Sequence, residues 1–170
     1  SFAARGGDPP RDAVLKNVVG VIPGAANALD KDLLVIGAHY DHLGAGDPGC
    51  RPANRGQLHP GADDNASGVA GLLELSRAFA RHQPERTVRF AAFTNEEPPF
   101  CFTEHMGSAV HAKAARARGE RIVLMVSLEM LGYYDDRPGS QHYPPLFHLF
   151  YPDRGNFLGF VGDLRSRTLM

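Results

Sequence analysis

Apolar runs and amphipathic segments alternate along the chain. Short apolar runs bounded by polar residues, Gly or Pro are typical of buried strands. Five such runs lie at residues 17–22, 33–38, 87–93, 122–128 and 157–161. Residues 65–81 show apolar positions at helical spacing, and the Ala-rich residues 104–118 end in basic residues before Gly119. The pattern predicts strands that alternate with two helices.

This alternation predicts an α/β fold, in which helices flank a mostly parallel, mixed sheet as a three-layer sandwich. Residues 44–62 are dense in Gly and Pro and are predicted to form a long loop. Residues 1–13, rich in Gly, Pro and Arg, are predicted to be an extension or a linker remnant. Residues 14–170 are then predicted to form one domain.

Composition and charge narrow the classes of partner. The 170 residues are 43% hydrophobic and 22% charged, with a formal net charge of -1, as in ordinary globular domains. This balance offers no basic face to a nucleic acid, and no apolar run approaches the roughly 20 residues that span a bilayer. The expected partner is a peptide or a small molecule. Cys50 and Cys101 allow at most one disulfide, and the sequence leaves that pairing open.

Acidic and histidine side chains follow the predicted strands. His39 and Asp41 come after the second strand, Glu96–Glu97 after the third and Glu129 after the fourth, while Asp63–Asp64 opens the first helix. Ligands of open α/β sheets bind at the carboxyl ends of the strands. The sequence therefore predicts that these side chains gather at one edge of the sheet.

Several carboxylates in one site repel each other unless a cation is present. Imidazole and carboxylate donors without a cysteine cluster favour zinc, with cobalt and manganese as alternatives. Asp41, two residues after His39, faces the same way on an extended segment and can orient its ring. Asp63 is well placed to bridge two ions, although an acidic pair also suits a helix N-cap. Of Glu96 and Glu97, one can bind metal and the other can act as a general base.

Four sequence blocks carry a resemblance to a known family. They are GAHYDHLG (37–44), GADDNASGVAGLLELSRA (61–78), FTNEEPP (93–99) and SLEMLGYY (127–134). In this order they resemble the co-catalytic di-zinc aminopeptidase family, whose relatives include glutamate carboxypeptidases and glutaminyl cyclases. The resemblance implies a site for two zinc ions.

The resemblance also implies roles for single residues. Asp63 is implied to bridge both ions, with a cis peptide bond between Asp63 and Asp64, and Glu96 is implied to be the general base. The other implied positions are His39 and Glu129 on the first zinc, Glu97 on the second, and Asp41 as the residue that orients His39.

The implied activity is that of a metal-dependent exopeptidase, an aminopeptidase that hydrolyses N-terminal peptide bonds through a zinc-activated water. The alternatives are a glutaminyl cyclase-type enzyme and a non-catalytic binding module with the same fold. The residue preference at the substrate N-terminus and the oligomeric state stay open. A secreted or periplasmic location is expected from the resemblance alone.

One departure from the family pattern concerns the second zinc. The family supplies a histidine to this ion from a late segment, and nothing after Tyr134 matches that block, because His142 and His148 lie too early. We therefore expect a chain whose C-terminal part is missing and that holds one zinc ion better than the other.

Overall fold

The structure is a computed structural model that describes residues 14–25, 31–45, 56–163 and 166. The strands are β1 (Val18–Ile22), β2 (Asp32–His39), β3 (Thr87–Phe93) and β4 (Arg121–Ser127). The helices are α1 (Gly68–Ala80) and α2 (Gly107–Ala117), with a helical turn at Ala62–Ser67 before α1 and a 3-10 turn at Phe147–Leu149.

The four strands form one mixed sheet in the order β1-β3-β2-β4. β2 runs parallel to both β3 and β4, and β1 runs antiparallel to β3. In this register His39 pairs with Phe93, and Gly37 pairs with Ser127. The three parallel strands therefore end at nearly the same level, and the residues that follow them share one edge of the sheet.

The two helices pack on opposite faces of the sheet. Side chains alternate between faces along a strand, so Phe90 and Phe93 of β3 point to different sides. Phe90 makes an edge-to-face contact with Phe79 of α1, with ring centroids 5.9 Å apart. Phe93 contacts His111 of α2 at 5.5 Å. The predicted α/β sandwich of three layers is confirmed.

The buried core lies between α1 and the sheet. Ala38, Leu72, Val88 and Phe90 form a cluster of buried side chains, and Ile36 and Val69 are among the partly buried residues packed against it. Burial of such side chains contributes roughly 1.5–3 kcal/mol each relative to exposure. This core fixes the carboxyl end of β2, and with it His39, against the first turn of α1.

The fifth predicted strand is wrong. Residues 157–161 form no strand, and the side chains of Phe160 and Val161 are 79% and 99% exposed. Apolar composition does not make a strand without a neighbouring strand to complete the backbone hydrogen bonds. The helix starts were also predicted too early, because α1 begins at Gly68 rather than residue 65 and α2 at Gly107 rather than residue 104. Gly119 follows the end of α2 with a φ of 68°, as its predicted stop role requires.

Backbone contacts divide the chain into two compact units, Ser1–Met130 and Leu131–Met170. The first unit holds the sheet, α1 and α2. The second contains an isolated antiparallel bridge between Asp135 and Gly155 and a stacked pair of rings, Phe147 and Tyr151. One domain over 14–170 stays a prediction.

Some sequence predictions fall outside the described residues or only partly within them. The extension at residues 1–13 and Cys50 lie outside. The predicted loop at 44–62 is described at both ends, where Gly44 and His59 form an isolated antiparallel bridge. Across the described ranges, no helix has the length and apolar character that a membrane crossing needs.

Candidate metal centre

Three potential metal donors converge at the carboxyl edge of the sheet. His39 ends β2, Glu97 follows β3, and Asp64 lies in the helical turn before α1. One ligand atom from each lies within 4.8 Å of the others. We call these residues the three-donor group. His39 and Glu97 are buried, and Asp64 is half-buried.

The two ring nitrogens of His39 face different surroundings. Nδ1 lies 3.1 Å from the backbone carbonyl oxygen of Asp41 and 3.6 Å from its carboxylate Oδ1. Both neighbours are acceptors, so Nδ1 would carry the ring proton in a His39 that binds a metal ion through Nε2. Nε2 faces three carboxylates, with Asp64 Oδ1 at 3.0 Å, Glu129 Oε1 at 3.3 Å and Glu96 Oε2 at 3.9 Å.

This arrangement calls for a cation at Nε2. In the neutral ring, the Nε2 lone pair would point at several carboxylate oxygens, which is repulsive unless a proton or a metal ion lies between them. Burial disfavours the charged ring of His39, but the carboxylates of Asp41, Glu129 and Glu96 outweigh it and raise its pKa to about 9. Without metal, a proton holds the position that a metal ion would take.

Asp41 links two parts of the site. Its carboxylate accepts hydrogen bonds from the backbone N–H groups of Glu96, at 3.2 Å, and Glu97, at 3.1 Å. Burial would raise the pKa of Asp41, but its contacts with His39 and these two N–H groups lower it. One residue therefore contacts Nδ1 of His39, through its carbonyl oxygen at 3.1 Å and its carboxylate at 3.6 Å, and its carboxylate holds the turn that presents Glu96 and Glu97.

Glu97 and Glu129 both have pKa values that are raised by burial and by neighbouring carboxylates. Burial, Asp64 and Glu96 together raise the pKa of Glu97 to about 7. Burial also raises the pKa of Glu129, with Asp64 and Glu96 adding to the shift. A divalent cation would relieve this repulsion, and imidazole with carboxylates is a donor set that zinc accepts. The residues present therefore fit a zinc ion.

The structure brings Asp64 close to His39, whereas the sequence predicted that its neighbour Asp63 bridges two ions. Asp64 Oδ1 lies 3.0 Å from His39 Nε2, and Asp64 is the aspartate of the three-donor group. Asp63 instead receives hydrogen bonds from Ser67 Oγ at its carbonyl oxygen, 2.7 Å, and at Oδ1, 3.1 Å. The backbone is non-helical at Asp64, with φ -102° and ψ 92°, so the two neighbouring side chains point in different directions. The cis peptide bond joins Asp64 to Asn65 rather than Asp63 to Asp64.

The other predicted site residues lie at the same edge of the sheet. Glu129 is close to His39 but about half-exposed and is not one of the three donors. Glu96 is 38% exposed, so its carboxylate is open to solvent. Sequence reasoning missed Asp64 as a potential metal donor. It also missed the contact between Asn65 and Glu129, in which the Asn65 amide donates a hydrogen bond to the Glu129 carboxylate at 3.2 Å. Asp64 and Asn65 both lie in the block GADDNASG (61–68), but their contacts depend on the backbone dihedral angles of this turn.

Comparison with known proteins places these residues in a family. Residues 17–148 match the sequence profile of peptidase family M28. The protein YfbL of Escherichia coli (strain K12), described as uncharacterized, is 47% identical over 140 residues, which cover 81% of this chain and 40% of YfbL. A "probable zinc metalloprotease" of Pyrenophora teres f. teres (strain 0-1) is 32% identical over 133 residues, covering 78% of this chain and 26% of that protein.

A solved structure shares the fold. The aminopeptidase from Aneurinibacillus sp. strain AM-1 superposes with a TM-score of 0.51 and 28% sequence identity, over 72% of this chain and 26% of that one. The chain thus spans less than half the length of each of these three relatives. The match over 17–148 covers the sheet, both helices and the three-donor group. This chain belongs to peptidase family M28.

Proposed function

We propose that this chain forms the zinc-binding part of a metal-dependent aminopeptidase. The proposal rests on the environment of His39. Its Nε2 faces the carboxylates of Asp64 and Glu129, while its Nδ1 lies against the carbonyl oxygen of Asp41. The names of the relatives, a zinc metalloprotease and an aminopeptidase, support zinc and an N-terminal substrate.

The proposed ligand set combines the three-donor group with Glu129. His39 and Glu129 would hold the first of two zinc ions, Glu97 would hold the second, and Asp64 would be shared between them. Asp64 takes the role expected for Asp63 because its carboxylate is the one beside His39. Asp41 keeps the ring of His39 oriented through Nδ1.

Zinc, when bound, supplies a Lewis acid that polarises the scissile carbonyl and the attacking water. Glu96 is the proposed general base. Its backbone N–H is anchored on Asp41, and its carboxylate is solvent-accessible 3.9 Å from His39 Nε2, so it faces the same space as the ligands. Glu96 takes a proton from the water that attacks the carbonyl carbon. It returns that proton to the amine that leaves when the C–N bond breaks.

The substitution Glu96→Gln tests this role. We expect the variant to keep its zinc and to lose peptide hydrolysis by about 100-fold or more, because general base catalysis contributes on this scale. The matched control is Glu104→Gln, which removes an exposed carboxylate paired with Lys113. Hydrolysis of aminoacyl p-nitroanilides and zinc content by mass spectrometry are the readouts. Full hydrolysis in the zinc-loaded Glu96→Gln variant would refute the assignment.

Substrate choice separates the proposal from its alternatives. A free N-terminal aminoacyl substrate should be cleaved, and the same substrate with an acetylated N-terminus should not. Cyclisation of a glutaminyl peptide without hydrolysis would favour the glutaminyl cyclase alternative. Failure of the protein to bind zinc would favour the binding module.

A further inference from the structure

Asn65 uses its whole hydrogen-bonding capacity. The residue is 1% exposed. Its Oδ1 accepts from the backbone N–H groups of Gly68, at 3.1 Å, and Met130, at 3.2 Å. Its Nδ2 donates to the carbonyl oxygen of Leu128, at 2.9 Å, and to Glu129 Oε2, at 3.2 Å. A primary amide has two donors and two lone pairs of acceptor capacity, so every one is satisfied.

Three of these four partners follow β4. Leu128, Glu129 and Met130 are consecutive, whereas Asn65 lies in the turn that leads into α1. Asn65 also follows Asp64 directly in the sequence. One buried amide therefore ties the backbone that carries Asp64 to the segment that carries Glu129.

The contact with Glu129 restricts a side chain that would otherwise be free to move. Glu129 is 48% exposed, and a long exposed side chain loses conformational freedom when it is fixed. Oε2 of Glu129 accepts from Asn65, while Oε1 lies 3.3 Å from His39 Nε2. The amide thus selects an orientation in which the other oxygen faces the histidine.

Close packing around Asn65 leaves little room for another arrangement. A Cβ atom at Gly68 would lie 2.3 Å from Asn65 Oδ1 and 2.6 Å from the carbonyl oxygen of Leu128. The absence of a side chain at Gly68 lets α1 begin directly against the amide. Because Asn65 is uncharged, it orients Glu129 without neutralising the carboxylate.

We propose that Asn65 is a positioning residue of the metal centre, which acts on zinc affinity through the Glu129 carboxylate and contributes no ligand atom itself. This inference rests on the proposed zinc-binding function. It predicts that the effect of a change at Asn65 depends on whether Glu129 is present as a carboxylate.

A double-mutant cycle tests the inference. Asn65→Asp keeps the shape of the side chain but replaces Nδ2, which donates to Glu129 and to the Leu128 carbonyl oxygen, by an oxygen that repels both. The zinc affinities of the wild-type chain, Asn65→Asp, Glu129→Gln and the double variant are measured by competition with a chromophoric chelator. We expect Asn65→Asp to lower the affinity by about 10- to 100-fold in the wild-type background, as for other residues that orient metal ligands. In the Glu129→Gln background the same change should cost less than about threefold.

Matched measurements separate positioning from folding. Asn156→Asp makes the same chemical change at an exposed amide that donates to Asp136, and it should leave the affinity unchanged. Thermal unfolding of each metal-free variant checks that it folds. If Asn65→Asp does not fold, Asn65→Ser replaces it in the same cycle, since the hydroxyl is smaller and uncharged.

Each outcome has a distinct meaning. Equal losses in both backgrounds, or no loss in either, would overturn the inference while zinc binding by the wild-type chain upholds the proposed function. A wild-type chain that binds no zinc would overturn the proposed function, and this inference with it.

Discussion

Nε2 of His39 lies 3.0 Å from Oδ1 of Asp64, although one residue ends a strand and the other precedes a helix. The contact exists because β2 and α1 pack together through a shared core around Ala38 and Leu72. The fold thus brings an imidazole and a carboxylate to the distance at which one cation can contact both.

Asp41→Asn should lower the affinity for zinc, although Asp41 is not one of the proposed ligands. The amide has one oxygen to accept from the N–H groups of Glu96 and Glu97, and its NH₂ group is a poor partner for the Nδ1 proton of His39. We expect zinc affinity to fall by about 10- to 100-fold, as for other residues that orient metal-binding histidines. Competition against a chromophoric chelator measures the change.

The control for this prediction is Asp136→Asn. Asp136 is exposed and accepts a hydrogen bond from Asn156, so we expect its replacement to leave the affinity for zinc unchanged. Equal zinc affinities for wild type and Asp41→Asn would show that Asp41 does not orient the site.

Gly68→Ala should destabilise the fold even though its backbone is ordinary helix. The φ of Gly68 is -63°, which alanine adopts freely, but the added Cβ would collide with Asn65 Oδ1 and the Leu128 carbonyl oxygen. Overpacking of this kind costs about 1–3 kcal/mol in the free energy of unfolding. Gly20→Ala is the control, because a Cβ there meets nothing within 4 Å. Urea unfolding compares the two variants, and similar stabilities would contradict the packing argument.

Glu120 should make the free energy of unfolding fall as the pH becomes acidic. Arg89 and Arg118 hold its pKa at about 2, below the ordinary value of 4.5, so the ionised form is favoured in the folded chain. The stabilisation is therefore complete above roughly pH 5 and is lost as the pH falls from 4.5 through 2. Glu120→Gln should lower stability by about 1–3 kcal/mol at neutral pH and flatten its decline between roughly pH 5 and 3.

The control for the pH prediction is Glu104→Gln. Glu104 also has a lowered pKa, through its hydrogen bond to Lys113, but the pair is exposed to solvent. Solvent weakens such pairs, so this variant should unfold with nearly the wild-type pH profile. Unfolding of both variants in urea at several pH values gives the comparison, and an unchanged slope in Glu120→Gln would contradict the prediction.

Sequence patterns predicted the parts of the fold that depend on periodicity. The strand predicted at 33–38 lies within β2, and the strand predicted at 87–93 has the same bounds as β3. Both were predictable because buried parallel strands have continuous apolar sequences. The run at 157–161 has similar composition but forms no strand. Pairing with a neighbour is a tertiary property, and local composition does not encode it.

The site was predictable at the level of segments and less so at the level of atoms. The rule that ligands gather at the carboxyl ends of parallel strands placed His39, Glu97 and Glu129 together, as the structure has them. Choosing between Asp63 and Asp64 required the backbone dihedral angles of the turn, which adjacent identical residues cannot reveal. The Asn65 amide donates hydrogen bonds to Leu128 and Glu129, which follow β4. Helix-capping preferences concern neighbours in the sequence and do not predict such distant partners.

Zinc binding by the chain with Asp64→Asn, compared with Asp63→Asn, tests the central claim most directly. The two substitutions remove the same charge from adjacent residues, of which Asp64 contacts His39 and Asp63 accepts hydrogen bonds from Ser67. After dialysis against a limiting zinc buffer, the wild-type chain should bind zinc. Asp64→Asn should lower the affinity by about 100-fold or more, and Asp63→Asn by less than about threefold, because loss of a ligand costs more than loss of a nearby charge. A larger loss with Asp63→Asn, or no zinc bound by the wild-type chain, would contradict the account.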